Sequence, residues 1–205
     1  PGLRGLELGY VGNNDAVLMR RALGVPYYDA LLAITGDLTI EALVLPLGAA
    51  QGPSMHIACF AGSVASELAA DNILYSFGYS STPSLEFEFQ YQSESGAGIN
   101  SDYTNDEGVH TGYPSHVAMR RSSNQISFFQ NGRQLGATSG TLTTPTDGGS
   151  GGFMVGAHWS SGAFPSGYAE MVIASLKVIP SALTDAQILD EYNYTIGNMY
   201  PRSTP

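Results

Sequence analysis

The chain has 205 residues, of which 43% are hydrophobic, a length that suits one all-β domain and a composition that excludes a disordered chain. Eight Lys and Arg stand against 18 Asp and Glu, a formal net charge of −10, which excludes sequence-independent nucleic-acid binding and docking on an anionic membrane, because both need clustered cations. The one cysteine, Cys59, excludes an intrachain disulfide and a thiolate zinc cage, and Lys177 as the one lysine leaves almost no Schiff-base chemistry.

Twenty-five Gly, 12 Tyr and 8 Phe with only 13% charged residues point to many strands joined by tight turns. The chain opens Pro1-Gly2-Leu3-Arg4 without a basic-then-apolar leader, so it is expected to be made without a signal peptide or trimmed. No window reaches the ~18–20 apolar residues of a membrane span. The longest apolar run, Leu43 to Ala50, is broken by Pro46, so no membrane insertion is expected. Residues 1–33 are read as an N-terminal arm or edge strands, with Arg20-Arg21 as their basic pair.

Leu38 to Pro46 starts in alternation and becomes apolar on both faces, which predicts a central strand ending at proline. In Leu85-Glu86-Phe87-Glu88-Phe89-Gln90-Tyr91-Gln92 apolar and polar residues alternate strictly, the mark of a half-buried strand. Gly96 to Gly112 is a long, mainly polar segment and reads as a loop. Ser115 to Arg121 and Gln125 to Gln130 predict two further strands. Asn131-Gly132 then leads into Arg133 to Ala137, a tight hairpin whose two turn residues both tolerate φ > 0. Gly140 to Gly152 reads as a surface loop, followed by strands at Phe153 to Gly156 and Ala169 to Ile179. One short helix is expected over Ser181 to Tyr192. Thr184 is its N-cap, Gln187 completes a capping box, Asp185 lies in the first turn, and Ile188 with Tyr192 forms the apolar stripe.

Three stretches together resemble the concanavalin A-like lectin/glucanase superfamily, in its laminin-G-like and pentraxin-like branch. Ile34 to Pro46 is similar to the family's "ITGDFTIEAWVKP" strand, with Leu43 where tryptophan is usual. Ser115 to Gly136 resembles its "WHHVAVTYDGSTIRLYVNGKLVG" hairpin, with Pro114 and Ser115 in place of the aromatic start. Phe153 to Ala157 with Gly167 to Ile188 is similar to "IGA…GYIDEVRIYNRALSDAEI". The order and distances agree over residues 34–192. The resemblance implies an all-β, two-sheet antiparallel jelly-roll sandwich over residues 34–205 with one short C-terminal helix, within a single domain overall. It also implies glycan binding as a common use of the fold, and no activity by itself.

Several residues carry chemistry worth weighing. Glu86 and Glu88 share a strand face, as the paired carboxylates of the superfamily's glucanases do. Gln90 occupies the last position of that pattern, however, and a glutamine cannot serve as general acid. The plain reading is the wet face of an amphipathic strand. Asp102, Asp106 and Glu107, with Asn105, offer hard oxygen ligands on a loop, and Ca²⁺ is the one cofactor they suggest; the alternative is a solvated loop. Trp159, with His158 beside it, suits stacking on a sugar face with hydroxyls fixed by a polar neighbour. Its alternative is a plug at the sandwich edge. Tyr103 and Tyr113 are further candidates. His110 and His116 match no metal spacing, and His116 falls where the family's histidine helps hold the strand. Cys59 reads as a buried small hydrophobe, and a pairing with His56 lacks an oxyanion-hole motif.

The expected function is a non-enzymatic glycan-binding or adhesion module. Its expected setting is a virion surface or the extracellular side, as a fibre tip or capsid decoration. A purely structural module binding neighbouring protein subunits, further copies of itself included, is the first alternative. A glycan hydrolase using Glu86 and Glu88 is the second.

Overall fold

The computed structural model describes residues 6–8, 17–20, 34–47, 54–62, 73–80, 86–92, 99–108, 112–123, 125–136, 151–156, 158–159, 165–166 and 171–199. In chain order the strands are β1 (Leu6–Leu8), β2 (Val17–Arg20), β3 (Leu38–Pro46), β4 (Ser54–Gly62), β5 (Ile73–Ser80), β6 (Glu86–Gln92), β7 (Ile99–Gly108), β8 (Ser115–Ser122), β9 (Gln125–Gln130), β10 (Arg133–Leu135), β11 (Gly151–Val155), β12 (His158–Trp159), β13 (Pro165–Ser166) and β14 (Met171–Ile179), followed by helix α1 (Asp185–Met199). The first sheet runs β1-β14-β3-β8-β9-β10 and the second β2-β11-β4-β5-β6-β7, while β12 and β13 form a small hairpin of their own. The pairings are antiparallel. The architecture is a two-sheet jelly-roll sandwich.

Alternation builds the core. Leu38, Ile40, Ala42 and Val44 of β3, with Val117 and Met119 of β8, face Ile57 of β4 and Tyr75, Phe77 and Tyr79 of β5. Phe77 and Phe128 meet from opposite sheets as stacked rings, centroids 6.3 Å apart and planes 24° apart. The central place of β3 explains its apolar character on both faces. Its second face, Thr39, Glu41 and Leu43, is buried as well, on the side of the first sheet that carries α1. Thr39 ties that layer down: its hydroxyl donates to the Ser181 carbonyl (2.8 Å) and accepts from the Leu183 N–H (3.0 Å).

Asn131 (φ 51°) and Gly132 (φ 77°) form the expected hairpin turn. The Asn131 side chain accepts from the His116 N–H (3.0 Å) while its own N–H donates to the His116 carbonyl (2.7 Å). The capping box of α1 is present: the Gln187 N–H donates to Thr184 Oγ1 (3.2 Å) and the Thr184 N–H donates to Gln187 Oε1 (2.8 Å). Thr184→Ala removes one acceptor from the helix start and should cost about 1 kcal/mol, a melting-temperature drop of roughly 2–4 °C for a domain of this size by circular dichroism.

Three expectations need correction. The helix does not stop near Tyr192 but runs through 15 residues to Met199. No proline lies between Pro180 and Pro201, and Lys177 Nζ lies 5.8 Å from the Tyr194 ring centre, giving the added turns a seat. Within the segment read as a loop, residues 99–108 form β7. Polar composition misleads there because the ladder with β6 satisfies backbone groups whatever the side chains are. Gly151 and Gly152 belong to β11 rather than to a loop, and residues 140–150 lie outside the described residues.

Candidate functional site

The second sheet turns one face to the core and one away from it. In β5 the core takes Tyr75, Phe77 and Tyr79, so Ser76 and Gly78 occupy the other face. Register carries that face across the sheet. His56, Gly78, Glu88 and Tyr103 form one cross-strand row, and Cys59, Ser76, Gln90 and Ser101 form the next. A bulge in β4 between His56 and Ala58 sets Ile57 and Ala58 both into the core. His56 Nδ1 and Ser76 Oγ are 2.6 Å apart, and both residues are buried. That hydrogen bond clamps β4 to β5 beside the bulge. Gly78 sits between His56 and Glu88 and contributes no side chain to the row.

The bulge also redirects β11. Val155 is the register partner of Ala58, and the next residue, Gly156, takes φ 82° and donates its N–H to the Ile57 carbonyl (3.1 Å). That left-handed conformation is open to glycine and strained for other residues. It leads the chain into β12, which lies beside β4. His158 pairs with Ser166 and Trp159 with Pro165. The sole tryptophan therefore sits on the two-residue strand β12, and the β12–β13 pairing beside β4 sets its position.

The other candidates are dispersed. Glu86, the register partner of Ser80 and Gly108, and Glu88 stand at alternate positions of β6. Tyr103 is on β7, in the same row as Glu88. Asp102 is the register partner of Phe89, and Asp106 and Glu107 fall in the irregular stretch between Tyr103 and Gly108. The segment expected to present these carboxylates from a loop is strand β7. Tyr113, 69% exposed, belongs to a turn of the first sheet. That turn is pinned by the Gly112 N–H donating to the Pro46 carbonyl (2.7 Å). His116 is buried on the helix side of the first sheet, its ring tilted against Tyr192 at 5.9 Å. His110 lies outside the described residues. Among the described residues no group of three His, Cys, Asp or Glu is placed to hold a metal ion, and no helix is long and apolar enough to cross a membrane.

A cleft of about 320 Å³ lies at the start of α1, lined by Arg120, Ser122, Gln125, Ser127, Leu183 and Thr184 among others. Arg120 donates to the Leu183 carbonyl (3.0 Å) and to Asp185 (2.6 Å), and its guanidinium lies 4.9 Å from the Phe129 ring centre. The cation is already partnered, and the cleft is a seam of the helix seat. Sequence reasoning missed the His56–Ser76 clamp and Gly156, although the period-2 alternation of residues 73–80 was a usable signal for the first.

A family model described as the concanavalin A-like lectin/glucanases superfamily matches residues 22–189. Comparison with curated proteins finds no match. Among solved structures, the Ruminococcus gnavus IT-sialidase CBM40 superposes with TM-score 0.68 at 12% identity, covering 94% of this chain and 100% of that one. The same module bound to alpha2,3 sialyllactose gives TM-score 0.63 at 13% identity over 92% and 95%. The heptameric SAP-like pentraxin from Limulus polyphemus gives 0.54 at 14% over 75% and 68%. The leech intramolecular trans-sialidase gives 0.60 at 14%, covering 86% of this chain but 27% of that one. At these identities the likeness is one of fold.

Proposed function

Because the chain belongs to the concanavalin A-like lectin/glucanases superfamily, whose fold serves binding modules and hydrolases alike, we propose that it is a non-enzymatic glycan-binding module. The observation that carries this reading is the end-to-end match to a carbohydrate-binding module, 94% of this chain on 100% of that one, against 27% of the leech enzyme's length. An α2,3-sialylated glycan is the first ligand to test, since the similar module has been solved with alpha2,3 sialyllactose.

The binding edge in this reading is the β12–β13 hairpin with His158 and Trp159, together with Tyr103 on the row that runs from the β4 bulge; Tyr113 is a second aromatic candidate. An aromatic ring offers a large apolar face at small entropic cost, and a sugar ring presents the C–H face it needs. We extend the proposal to the setting, display on a virus or phage particle, which is tested by whether purified particles carry the chain.

With one tryptophan in the chain, fluorescence excited at wavelengths where the 12 tyrosines do not absorb reports on the hairpin alone. Titration with α2,3-sialyllactose should change that emission saturably. Trp159→Ala should weaken binding, followed by calorimetry, by about tenfold or more, equivalent to ~1.4 kcal/mol per tenfold. No binding of sialylated or neutral glycans at millimolar concentration, with and without Ca²⁺, removes the glycan reading in favour of a structural module. Release of reducing sugar that disappears in Glu88→Gln establishes the hydrolase instead.

A further inference from the structure

Helix α1 lies over a polar cluster that the glycan-binding proposal does not use. Glu41, in the middle of β3, is 2% exposed, and neither carboxyl oxygen has a hydrogen-bond partner. Its register partners are Ala118 on β8 and Lys177 on β14. His116 is the register partner of Leu43, so it is the diagonal neighbour of Glu41 on the same face, a spacing of ~7–8 Å between backbones that long side chains bridge. His116 is also buried, and its Nδ1 has no partner. From above, Ile188 packs on Ala118 and Phe129, and Tyr192 covers the His116 ring. The charged groups facing the pair are Lys177 and Glu191, which bond to each other. Farther along the helix, Arg120 and Asp185 do the same.

A buried carboxylate with no hydrogen bond and a buried imidazolium with its Nδ1 unpartnered are both strongly disfavoured, and the neutral forms much less so. We infer that Glu41 and His116 form a proton-exchange pair beneath α1: in mildly acidic solution, with the helix lifted, they are carboxylate and imidazolium in water, and seating the helix moves one proton from the imidazolium nitrogen to the carboxylate oxygen. One N–H bond breaks, one O–H bond forms, and no proton is gained from or lost to solvent.

The titration directions agree with this geometry. Burial, reinforced by Glu191 and opposed by Lys177, pushes Glu41 up from 4.5 to about 7. Burial, reinforced by Lys177 and opposed by Glu191, pushes His116 down from 6.5 to about 4. A carboxyl raised on docking gives a contribution that is complete below 4.5 and is lost as pH rises to about 7. An imidazole lowered on docking gives one that is complete above 6.5 and is lost as pH falls to about 4. Across 4.5 to 6.5 the slopes are equal and opposite, so seating the helix is insensitive to pH although both groups titrate.

Hydrogen exchange of α1 amides, corrected for the intrinsic rate, tests this between about pH 4.5 and 6.5. In the wild type the protection of residues 188–196 should stay level. In Glu41→Gln it should fall about tenfold per unit as pH drops, and in His116→Gln it should fall about tenfold per unit as pH rises. Level protection in both variants overturns the pair. The wild type also supplies a direct readout that needs no variant. The His116 ring nitrogens should give neutral-imidazole ¹⁵N shifts at about pH 5.5; imidazolium shifts there would mean a buried ion pair and would falsify the exchange.

Discussion

Replacing Arg121 with alanine should lower stability by about 3–5 kcal/mol, the range of large side chains removed from a core. Arg121 is the largest fully buried side chain among the described residues. It stands at the end of β8 opposite Leu38 and Ile126, on the core face of the first sheet. Its Nε donates to the Gly36 carbonyl (2.7 Å) and its Nη2 to the Ile34 carbonyl (2.9 Å). Those two bonds hold the segment entering β3, and Asp37 beside it accepts from the Ser123 N–H (2.9 Å). Burial draws the guanidinium down to about 10, with Asp37 and Tyr75 acting in the opposite direction, so it stays charged at neutral pH. Alanine opens a cavity and strips the buried Ile34 carbonyl of its donor, a loss worth about 1–3 kcal/mol, while the Gly36 carbonyl, on an exposed residue, can turn to water. Arg121→Met separates the two effects. It keeps most of the volume, forfeits the donors and removes a buried charge whose desolvation is itself unfavourable, so its loss should be about half that of alanine. Urea unfolding of the three proteins measures both differences. An alanine variant within about 1 kcal/mol of wild type would mean that the entry segment is held by other contacts.

Local chemistry explains what could be read before the structure. The Asn131-Gly132 turn, the Thr184–Gln187 box and the strand over Leu38–Pro46 depend on residues within a few positions of one another, and all three are where the sequence puts them. Glu41 is the opposite case. Its alternation with Ile40 and Ala42 looks like a solvated strand face, yet it is buried because a helix some 150 residues downstream lies over it, and no local pattern contains that fact. Residues 99–108 fail for a related reason: an edge strand draws its stability from the backbone of β6, so Asn, Asp and Thr suffice. Tyr75-Ser76-Phe77-Gly78-Tyr79 alternates strictly, a period-2 pattern legible in the sequence by itself, and forms the middle of β5. For the candidate site, Glu88 and Tyr103 are visible as residues. Their shared row with His56 depends on the bulge in β4 and the register of β7, which are tertiary facts. Trp159 is visible as the one tryptophan, but its place beside β4 depends on a single positive φ at Gly156.

Gly132→Val should cost about 3 kcal/mol and should act on the helix as much as on the turn. Two effects add. At φ 77° a β-branched residue is strained by about 1–3 kcal/mol. A Cβ at this position would stand 2.7 Å from Leu189 Cδ1, 3.2 Å from Leu189 Cα and 3.2 Å from Tyr192 Cδ1. The Leu189 methyl can swing aside because the residue is 44% exposed. The Cα cannot, since it belongs to the helix backbone, so α1 must rise from the sheet or the turn must shift, an overpacking cost of ~1–3 kcal/mol. Asparagine tolerates the left-handed region far better, so Gly132→Asn meets the crowding with little of the strain and should lose less. Adding Leu189→Ala to Gly132→Val should recover part of the crowding and none of the strain. Denaturant midpoints for the single and double variants measure the coupling, and helix exchange rates show whether α1 has moved. If valine is tolerated within about 0.5 kcal/mol, the helix is not seated on the β9–β10 turn, and the buried pair beneath it loses its cover.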